Sequence, residues 1–185
     1  MQEALRLDGK VAIVTGASRG LGRVMAVALA GAGADLALVG RSKPDLEETA
    51  HAAEALGRKA LVVPADVASY PEVEALVRRT LELFGRIDIT LNNSGIAIVK
   101  PLVETSPEEW ARVLDTNLTG TFNVCRAAGP HLIIQQRGKV INVASMLVER
   151  GLPGYVTYCA SKGGIVTFTR TLAVEWARHN IQVNA

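Results

Sequence analysis

Short apolar runs rich in β-branched residues alternate with helical patterns along this chain. The strand-like runs lie at residues 11–14, 36–39, 60–63, 87–91, 139–143 and 181–184. Helix patterns lie between them, at residues 24–32, 44–56, 71–84, 107–136 and 158–179. Strands that are apolar throughout and alternate with helices predict a parallel sheet covered on both faces. We therefore predict a three-layer αβα protein of the α/β class, with the doubly wound parallel sheet of the Rossmann fold.

The length of the chain supports a single domain. A chain of 185 residues can bury one hydrophobic core, and no repeat or low-complexity segment divides it, so we expect one domain over residues 1–185. The last apolar run ends the chain, whereas a doubly wound sheet normally closes with further strands and a returning helix. We therefore expect the chain to be truncated at its C-terminus, with the last strands of the sheet missing.

Composition and charge argue against several classes of function. The formal net charge is +2 and the cations are scattered among acidic residues, so we expect no nucleic-acid partner. Cys125 and Cys159 form no CxxC pair and the histidines are isolated, so we expect reduced thiols and no metal site. The first ten residues lack the apolar stretch of a signal peptide, and no run approaches transmembrane length. These features are typical of a cytoplasmic protein that does not bind membranes.

A glycine-rich segment, TGASRGLG, follows the first predicted strand and opens the first helix. Thr15, Gly16, Gly20 and Gly22 form the pattern TGxxxGxG within it. Backbone N–H groups at a helix N-terminus bind phosphate, and glycine permits the close approach that this requires. A tight packing turn would give the same pattern. The position in the first βα turn favours binding of a dinucleotide pyrophosphate.

A tyrosine and a lysine on the last helix are candidates for acid–base chemistry. Tyr158 and Lys162 are four residues apart, so their side chains share one helix face. A neutral phenol is a poor acid or base near pH 7, and a nearby ammonium would favour the phenolate. An exposed tyrosine and a solvated lysine are the alternative. Ser145 favours the catalytic interpretation, because it directly follows the fifth strand, at the sheet edge where ligands bind in this architecture.

In their order along the chain, these segments resemble the short-chain dehydrogenase/reductase family. TGASRGLG matches the cofactor loop of the family, Asp66 and Val67 match its adenine-contacting pair, and NNSG matches its motif after the fourth strand. The four catalytic positions of the family are occupied here by Asn117, Ser145, Tyr158 and Lys162. The resemblance implies that a nicotinamide cofactor is bound by Gly16, Ser18, Arg19, Gly20, Leu21, Gly22, Arg41, Asp66, Val67, Asn93, Gly95, Tyr158 and Lys162.

The resemblance also implies a role for each catalytic residue. Tyr158 would transfer the hydroxyl proton, and Ser145 would orient the substrate oxygen. Lys162 would favour the phenolate and bind the nicotinamide ribose, while Asn117 would support a water relay to Lys162. Tyr155 is not expected to be catalytic, because a cysteine and not a lysine lies four residues after it. The implied reaction is reversible hydride transfer between the cofactor and a secondary alcohol or ketone.

The end of the second strand indicates which cofactor is preferred. NAD-preferring folds usually place a carboxylate there, which holds the ribose 2′-hydroxyl and repels a 2′-phosphate. In this chain Gly40 takes that place, Arg41 follows it, and Arg19 precedes the second glycine of the loop. Two guanidiniums could bind a 2′-phosphate with paired hydrogen bonds, although either could also be a solvated surface charge. We predict NADP(H) as the preferred cofactor, with NAD(H) as a second option.

The substrate is less clearly indicated than the reaction. The segments INVASMLVERG and AVEWARHNIQVNA most resemble family members that act on sugar acids such as gluconate. The cofactor loop equally resembles 3-oxoacyl-carrier-protein reductases. A non-catalytic NADP(H)-binding scaffold on the same fold is the alternative from another class, and the presence of all four catalytic residue types argues against it.

The resemblance implies a homotetramer as well. We expect helices within residues 116–135 and 158–178 to form the interface. An apolar stripe on the second of these helices could face the sheet or a partner subunit, and consists of Ile165, Phe168, Leu172 and Trp176. Three small or apolar residues are expected on another face, in contact with the partner, and these are Val166, Thr169 and Ala173.

Overall fold

The computed structural model describes residues 6–185 and contains a six-stranded sheet. Its strands are β1 (Val11–Thr15), β2 (Asp35–Gly40), β3 (Ala60–Pro64), β4 (Ile89–Asn92), β5 (Gly138–Asn142) and β6 (Ile181–Asn184). Residues 1–5, part of the N-terminal segment in which we expect no signal peptide, lie outside the described residues. Each of the six apolar runs forms a strand, with bounds within two residues of those predicted.

Neighbouring strands are parallel throughout, in the order β3-β2-β1-β4-β5-β6. The chain runs outward from β1 to β3, returns to the centre at β4, and then continues outward on the other side. The strand order therefore reverses between β1 and β4, and ligands of open α/β sheets bind at such a reversal. The predicted doubly wound Rossmann fold is confirmed.

Helices cover both faces of the sheet. The α-helices are α1 (Gly20–Ala32), α2 (Lys43–Glu54), α3 (Tyr70–Phe84), α4 (Pro107–Leu114), α5 (Gly120–Gln135), α6 (Leu147–Arg150) and α7 (Val156–Trp176). One core lies beneath α1 and α2, where Ala26 and Leu46 are buried. The other lies beneath α3, α5 and α7, where Leu76, Leu132 and Trp176 are buried. These two cores give the three layers expected from the sequence.

The helix pattern at residues 107–136 is divided into two helices by a π turn. α4 begins with a capping box, in which the Ser106 hydroxyl accepts the N–H of Glu109 and the Glu109 carboxylate accepts the N–H of Ser106. A π turn at Asp115–Thr119 then joins α4 to α5. Such a turn contains one extra residue and changes which side chains face the core. Asn117 is its buried residue.

α7 packs against the sheet in a way that the sequence predicted only in part. Leu172 and Trp176 belong to the core beneath α7, and Ile165 is buried, so the apolar stripe mainly faces the sheet. The prediction that Thr169 contacts a partner subunit was wrong, because Thr169 is buried and its hydroxyl accepts a hydrogen bond of 2.9 Å from Asn142 Nδ2. Ala173 also packs against this core. Thr169 belongs to the stripe by its spacing from Ile165 and Leu172, and its polarity concealed this.

Candidate active site

The glycine-rich loop lies between the end of β1 and the start of α1. Gly16 has a φ of +65°, a conformation that side chains disfavour. A Cβ atom at Gly22 would collide with the carbonyl oxygen of Gly16, so only glycine fits at this point of the helix. The backbone of the loop therefore lies open to a ligand at the N-terminus of α1, where N–H groups and the helix dipole favour phosphate.

The NNSG segment after β4 is joined to this loop by hydrogen bonds. The Thr15 hydroxyl accepts the backbone N–H groups of Asn93 and Ser94, both at 3.0 Å. In return, Asn93 Nδ2 donates to the carbonyl oxygens of Thr15 at 3.2 Å and Gly16 at 3.3 Å. The ends of β1 and β4 thus form one rigid unit at the point where the strand order reverses.

A cleft of about 380 Å³ opens above this unit. Its walls include all the residues that the sequence assigned to the cofactor outside α7, namely Gly16, Ser18, Arg19, Gly20, Leu21, Gly22, Arg41, Asp66, Val67, Asn93 and Gly95. These residues come from four separate loops, and the fold brings them together at one edge of the sheet. The volume and the lining are those of a site for an extended, phosphate-bearing ligand.

One end of this cleft contains the residues that bear on cofactor preference. A Cβ atom at Gly40 would collide with the Ser18 hydroxyl, so Ser18 occupies the place where other dinucleotide-binding folds have a side chain. Arg19 and Arg41 are exposed and line the cleft. Within residues 6–185, neither guanidinium has a hydrogen-bond or ion-pair partner. Both charges are therefore free to meet an anion.

Arg23 holds the loop in this conformation, and the sequence analysis missed it. Its guanidinium donates to the Ser18 carbonyl through Nε at 3.1 Å and Nη2 at 2.6 Å, and to the Asp45 carbonyl at 3.0 Å. It also forms an ion pair with Glu48 at 2.9 Å. Arg23 thus connects α1, the glycine loop and α2. An arginine after the last glycine was the only available signal, and a solvated surface charge would look the same.

Tyr158, Lys162 and Ser145 line a second cleft, of about 390 Å³. The two clefts share four lining residues, which are Leu21, Asn93, Gly95 and Ile96. The Lys162 ammonium lies 5.7 Å from the centre of the Tyr158 ring. Ser145 follows β5, and its hydroxyl accepts the N–H of Leu147 at 3.2 Å. A ligand that extends from the glycine loop into the second cleft would reach these three side chains.

Lys162 is a buried cation. Lys162 is only 3% exposed, and its Nζ donates to the Val143 carbonyl oxygen at 2.6 Å. Burial disfavours the charged form and lowers the pKa of Lys162 from 10.5 to about 8. The ammonium is therefore still the main form at pH 7. A shifted lysine in a cleft is typical of a functional site.

Asn117 lies behind the cleft and not in its wall. Its Oδ1 accepts the N–H of Ile96 at 2.8 Å, and its Nδ2 donates to the Ile96 carbonyl at 3.0 Å and to the Ser161 hydroxyl at 2.9 Å. The Ser161 hydroxyl donates in turn to the Tyr158 carbonyl at 2.7 Å. Asn117 therefore connects the loop after β4 to the catalytic turn of α7. It makes no direct hydrogen bond to Lys162.

Tyr155 also lines the second cleft, although the sequence assigned it no role. Its ring packs edge-to-face on the ring of Tyr158, with centroids 6.1 Å apart and planes at 78°. Such a contact restricts the orientation of Tyr158. The sequence could not show this contact, because Tyr155 precedes α7 and its direction depends on the preceding turn.

No cluster of three or more His, Cys, Asp or Glu side chains within residues 6–185 could hold a metal ion. Nor does any helix of the described residues have the length and apolar character needed to cross a membrane.

The family of short chain dehydrogenases matches residues 10–185. The chain is 43% identical to 2-dehydro-3-deoxy-D-gluconate 5-dehydrogenase of Escherichia coli (strain K12), over 98% of this chain and 72% of that protein. It is 39% identical to a 3-oxoacyl-[acyl-carrier-protein] reductase of Synechocystis, over 97% of this chain and 73% of that protein. The crystal structure of carveol dehydrogenase from Mycobacterium avium in complex with NAD is similar, with a TM-score of 0.94 at 32% identity over 97% of this chain and 70% of that chain. The chain therefore belongs to the short chain dehydrogenase family, and is an oxidoreductase that uses a nicotinamide cofactor and acts on CH–OH groups.

Proposed function

We propose that this chain catalyses reversible hydride transfer between NADP(H) and a secondary alcohol or ketone, with Tyr158 as the acid–base. The observation that carries the proposal is the continuity of the two clefts. The glycine loop and the adenine-side residues line one, Ser145, Tyr158 and Lys162 line the other, and both share Gly95. A dinucleotide in the first cleft would thus extend to the reacting groups in the second.

The residues of the first cleft fit such a cofactor. Position 22 has no room for a side chain, so the backbone there is open to a pyrophosphate. Asp66 and Val67 line the same cleft and would contact the adenine. Lys162 and Tyr158 would meet the nicotinamide ribose. When bound, the nicotinamide supplies or accepts the hydride.

The chain itself handles the proton. The Tyr158 phenolate takes the proton of a substrate alcohol, and in the reverse reaction the Tyr158 hydroxyl returns it to the ketone oxygen. The Lys162 ammonium supports the phenolate by its charge, and the Ser145 hydroxyl holds the substrate oxygen. Asn117 holds the loop and the helix that carry these groups, and it would also support a water relay to Lys162.

A single substitution tests the role of Tyr158, with a matched control in the same cleft. Tyr158→Phe should lower kcat by about 10²–10⁴-fold, the usual contribution of a positioned acid–base, while the Kd for NADP(H) changes by no more than a few fold. Tyr155→Phe removes the neighbouring phenol and should leave kcat within a few fold. Near-normal turnover by Tyr158→Phe would sink the assignment. Cofactor binding without turnover by the wild type would favour the scaffold alternative.

The preference for NADP(H) is supported by Gly40, Arg19 and Arg41. Within residues 6–185 the guanidiniums of Arg19 and Arg41 have no hydrogen-bond or ion-pair partner, and the end of β2 carries no acid. Titration of both cofactors into wild type and Arg41→Asp tests this, with Arg79→Asp as a control at an exposed position on α3. The expected result is that only Arg41→Asp loses affinity for NADP(H). If the wild type binds NAD(H) equally tightly, the two arginines are ordinary surface residues.

For the substrate we propose a sugar acid of the gluconate type. The support is the likeness to 2-dehydro-3-deoxy-D-gluconate 5-dehydrogenase. The likeness to a 3-oxoacyl-[acyl-carrier-protein] reductase favours a 3-oxoacyl thioester as the second candidate. Values of kcat/KM for 5-ketogluconate and for an acetoacetyl thioester discriminate the two. A higher value for the thioester would overturn the first choice.

We also propose a homotetramer. An apolar groove between α5 and α7 supports it, and Phe122 is partly exposed there. The groove is lined by Leu118, Thr119, Phe122, Gly164, Thr167, Phe168 and Thr171. Large exposed apolar grooves of this kind often bind another subunit. A monomer in light scattering at micromolar concentration would refute the proposal.

A further inference from the structure

Asn123 on α5 is buried, lines neither cleft, and contacts the turn after β3. Its Nδ2 donates to the carbonyl oxygens of Val67 at 2.9 Å and Ala68 at 3.2 Å. These partners are more than fifty residues away in sequence. A single amide therefore fixes two successive peptide groups of the wall that carries Asp66 and Val67.

Gly120, which is also on α5, fixes the same turn through the side chain of Val67. A Cβ atom at Gly120 would lie 3.0 Å from the Val67 Cβ and still closer to its Cγ2, so the Val67 side chain packs directly onto the helix backbone. Val67 is thus held by its carbonyl through Asn123 and by its side chain through Gly120. The position of the turn relative to the cleft is set by one face of α5.

The turn presents hydrogen-bonding groups on the side that faces the cleft. Asp66 Oδ1 accepts the N–H of Ala68 at 3.0 Å, which fixes the direction of the carboxylate. The Asp66 backbone N–H is held by Glu72 at 2.8 Å. Within residues 6–185 the N–H of Val67 has no partner. An acceptor and a donor are therefore available side by side, and the edge of adenine has a donor at N6 next to an acceptor at N1.

We propose that Asn123 is a positioning residue for adenine recognition, because it holds the Asp66–Val67 turn in register with the adenine edge. This inference rests on the proposed cofactor site. Asn123 does not touch the cofactor; it acts through the Val67 and Ala68 carbonyls. A purely structural role would lower stability and all affinities together. If Asn123 positions the turn, its substitution instead lowers the discrimination between purines that differ at position 6.

The test compares NADP⁺ with deamino-NADP⁺, in which hypoxanthine replaces adenine. That change converts the N6 donor to an acceptor and the N1 acceptor to a donor, so the turn no longer matches. With each of the two hydrogen bonds worth about fivefold, the wild type should bind NADP⁺ about 25-fold more tightly than the deamino form, as measured by calorimetry. Asn123→Leu keeps the branched shape of the side chain and removes both hydrogen bonds. Its preference should fall to within about twofold of unity.

Leu132→Ala is the matched control, because it truncates a buried core residue nine positions further along the same helix. It should lose stability but keep the preference for adenine. Gly120→Ala disturbs Val67 from the other side and should also reduce the preference. Asn123→Ala removes the same two hydrogen bonds and decides the matter if Asn123→Leu does not fold. Retention of the preference by the folded Asn123 variant, or its equal loss in Leu132→Ala, would overturn the proposal.

The outcome is separable from that of the proposed function. If the wild type favours NAD⁺, the comparison of NAD⁺ with deamino-NAD⁺ gives the same ratio, so an error in the phosphate preference leaves the test intact. If the wild type shows no preference between adenine and hypoxanthine in either series, adenine is not recognised at this turn and the role of Asn123 is refuted. Hydride transfer with Tyr158 would then still stand on its own assay.

Discussion

The buried ammonium of Lys162 should destabilise the folded protein at neutral pH, and this cost should disappear in alkali. Lys162 is 3% exposed and its pKa is lowered by burial from 10.5 to about 8. Each unit of pKa corresponds to about 1.4 kcal/mol, so the folded protein loses about 3 kcal/mol by keeping Lys162 charged. That is a large share of the free energy of unfolding of an ordinary domain.

The sign of the pH dependence follows from proton binding. Between pH 8 and 10.5 the unfolded chain keeps the proton at this position while the folded protein has released it. The free energy of unfolding therefore rises with pH across this window. Below pH 8 the full penalty is present, and above pH 10.5 it is gone. The stability gained in alkali is therefore lost gradually as the pH falls from 10.5 to 8.

Urea denaturation of wild type and Lys162→Met at several pH values measures the effect. Methionine is uncharged and similar in length, so the difference between the two free energies isolates the charge. Relative to the variant, the wild type should gain about 3 kcal/mol between pH 7 and pH 10.5. Burial raises the pKa of Cys125 to about 12, which opposes folding in alkali, but it does so in both proteins and cancels. A difference that does not change with pH would refute the reasoning.

Three further substitutions test the framework of the site. Gly22→Ala places a Cβ against the Gly16 carbonyl and should cost about 1–3 kcal/mol and most of the cofactor affinity, as measured by urea denaturation and fluorescence titration. Thr15→Val keeps the shape but leaves the N–H groups of the NNSG segment unpaired, so its free energy of unfolding should fall by about 2 kcal/mol or more. Asn117→Ala releases Ile96 and should lower kcat more than cofactor affinity, as steady-state kinetics and titration will show.

Much of the fold could be predicted because the sheet is parallel and its central strands are buried on both faces. Their apolar runs are short and are closely followed by glycine or asparagine, so β1, β2 and β4 are recognisable from the length of the run and its flanking residues. The π turn at Asp115–Thr119 could not be predicted in the same way, since the patterns of α4 and α5 on either side are both helical. One extra residue within a helical pattern changes the phase but not the period.

Site residues that belong to a sequence motif could be predicted, and residues that act only through a contact made in the fold could not. Tyr158 and Lys162 share a helix face, and their spacing together with Ser145 after the fifth strand indicated a catalytic role. Arg23 reaches Ser18 and Asp45 through a guanidinium whose direction depends on the packing of α1 against α2. A partner twenty-two residues away cannot be read from the sequence of either helix.

The end of β2 combines both kinds of information. The sequence indicated that position 40 has no acid, and this alone favours a phosphorylated ribose. In the structure a Cβ atom at Gly40 would collide with the Ser18 hydroxyl, and Arg23 holds the carbonyl of that same serine. A side chain at position 40 therefore requires the Ser18 hydroxyl to rotate away, while the Ser18 carbonyl can keep its hydrogen bonds to Arg23. We therefore expect Gly40→Asp to be accommodated without movement of the loop backbone, and to lower the affinity for NADP(H) relative to NAD(H), because the new carboxylate would repel a 2′-phosphate.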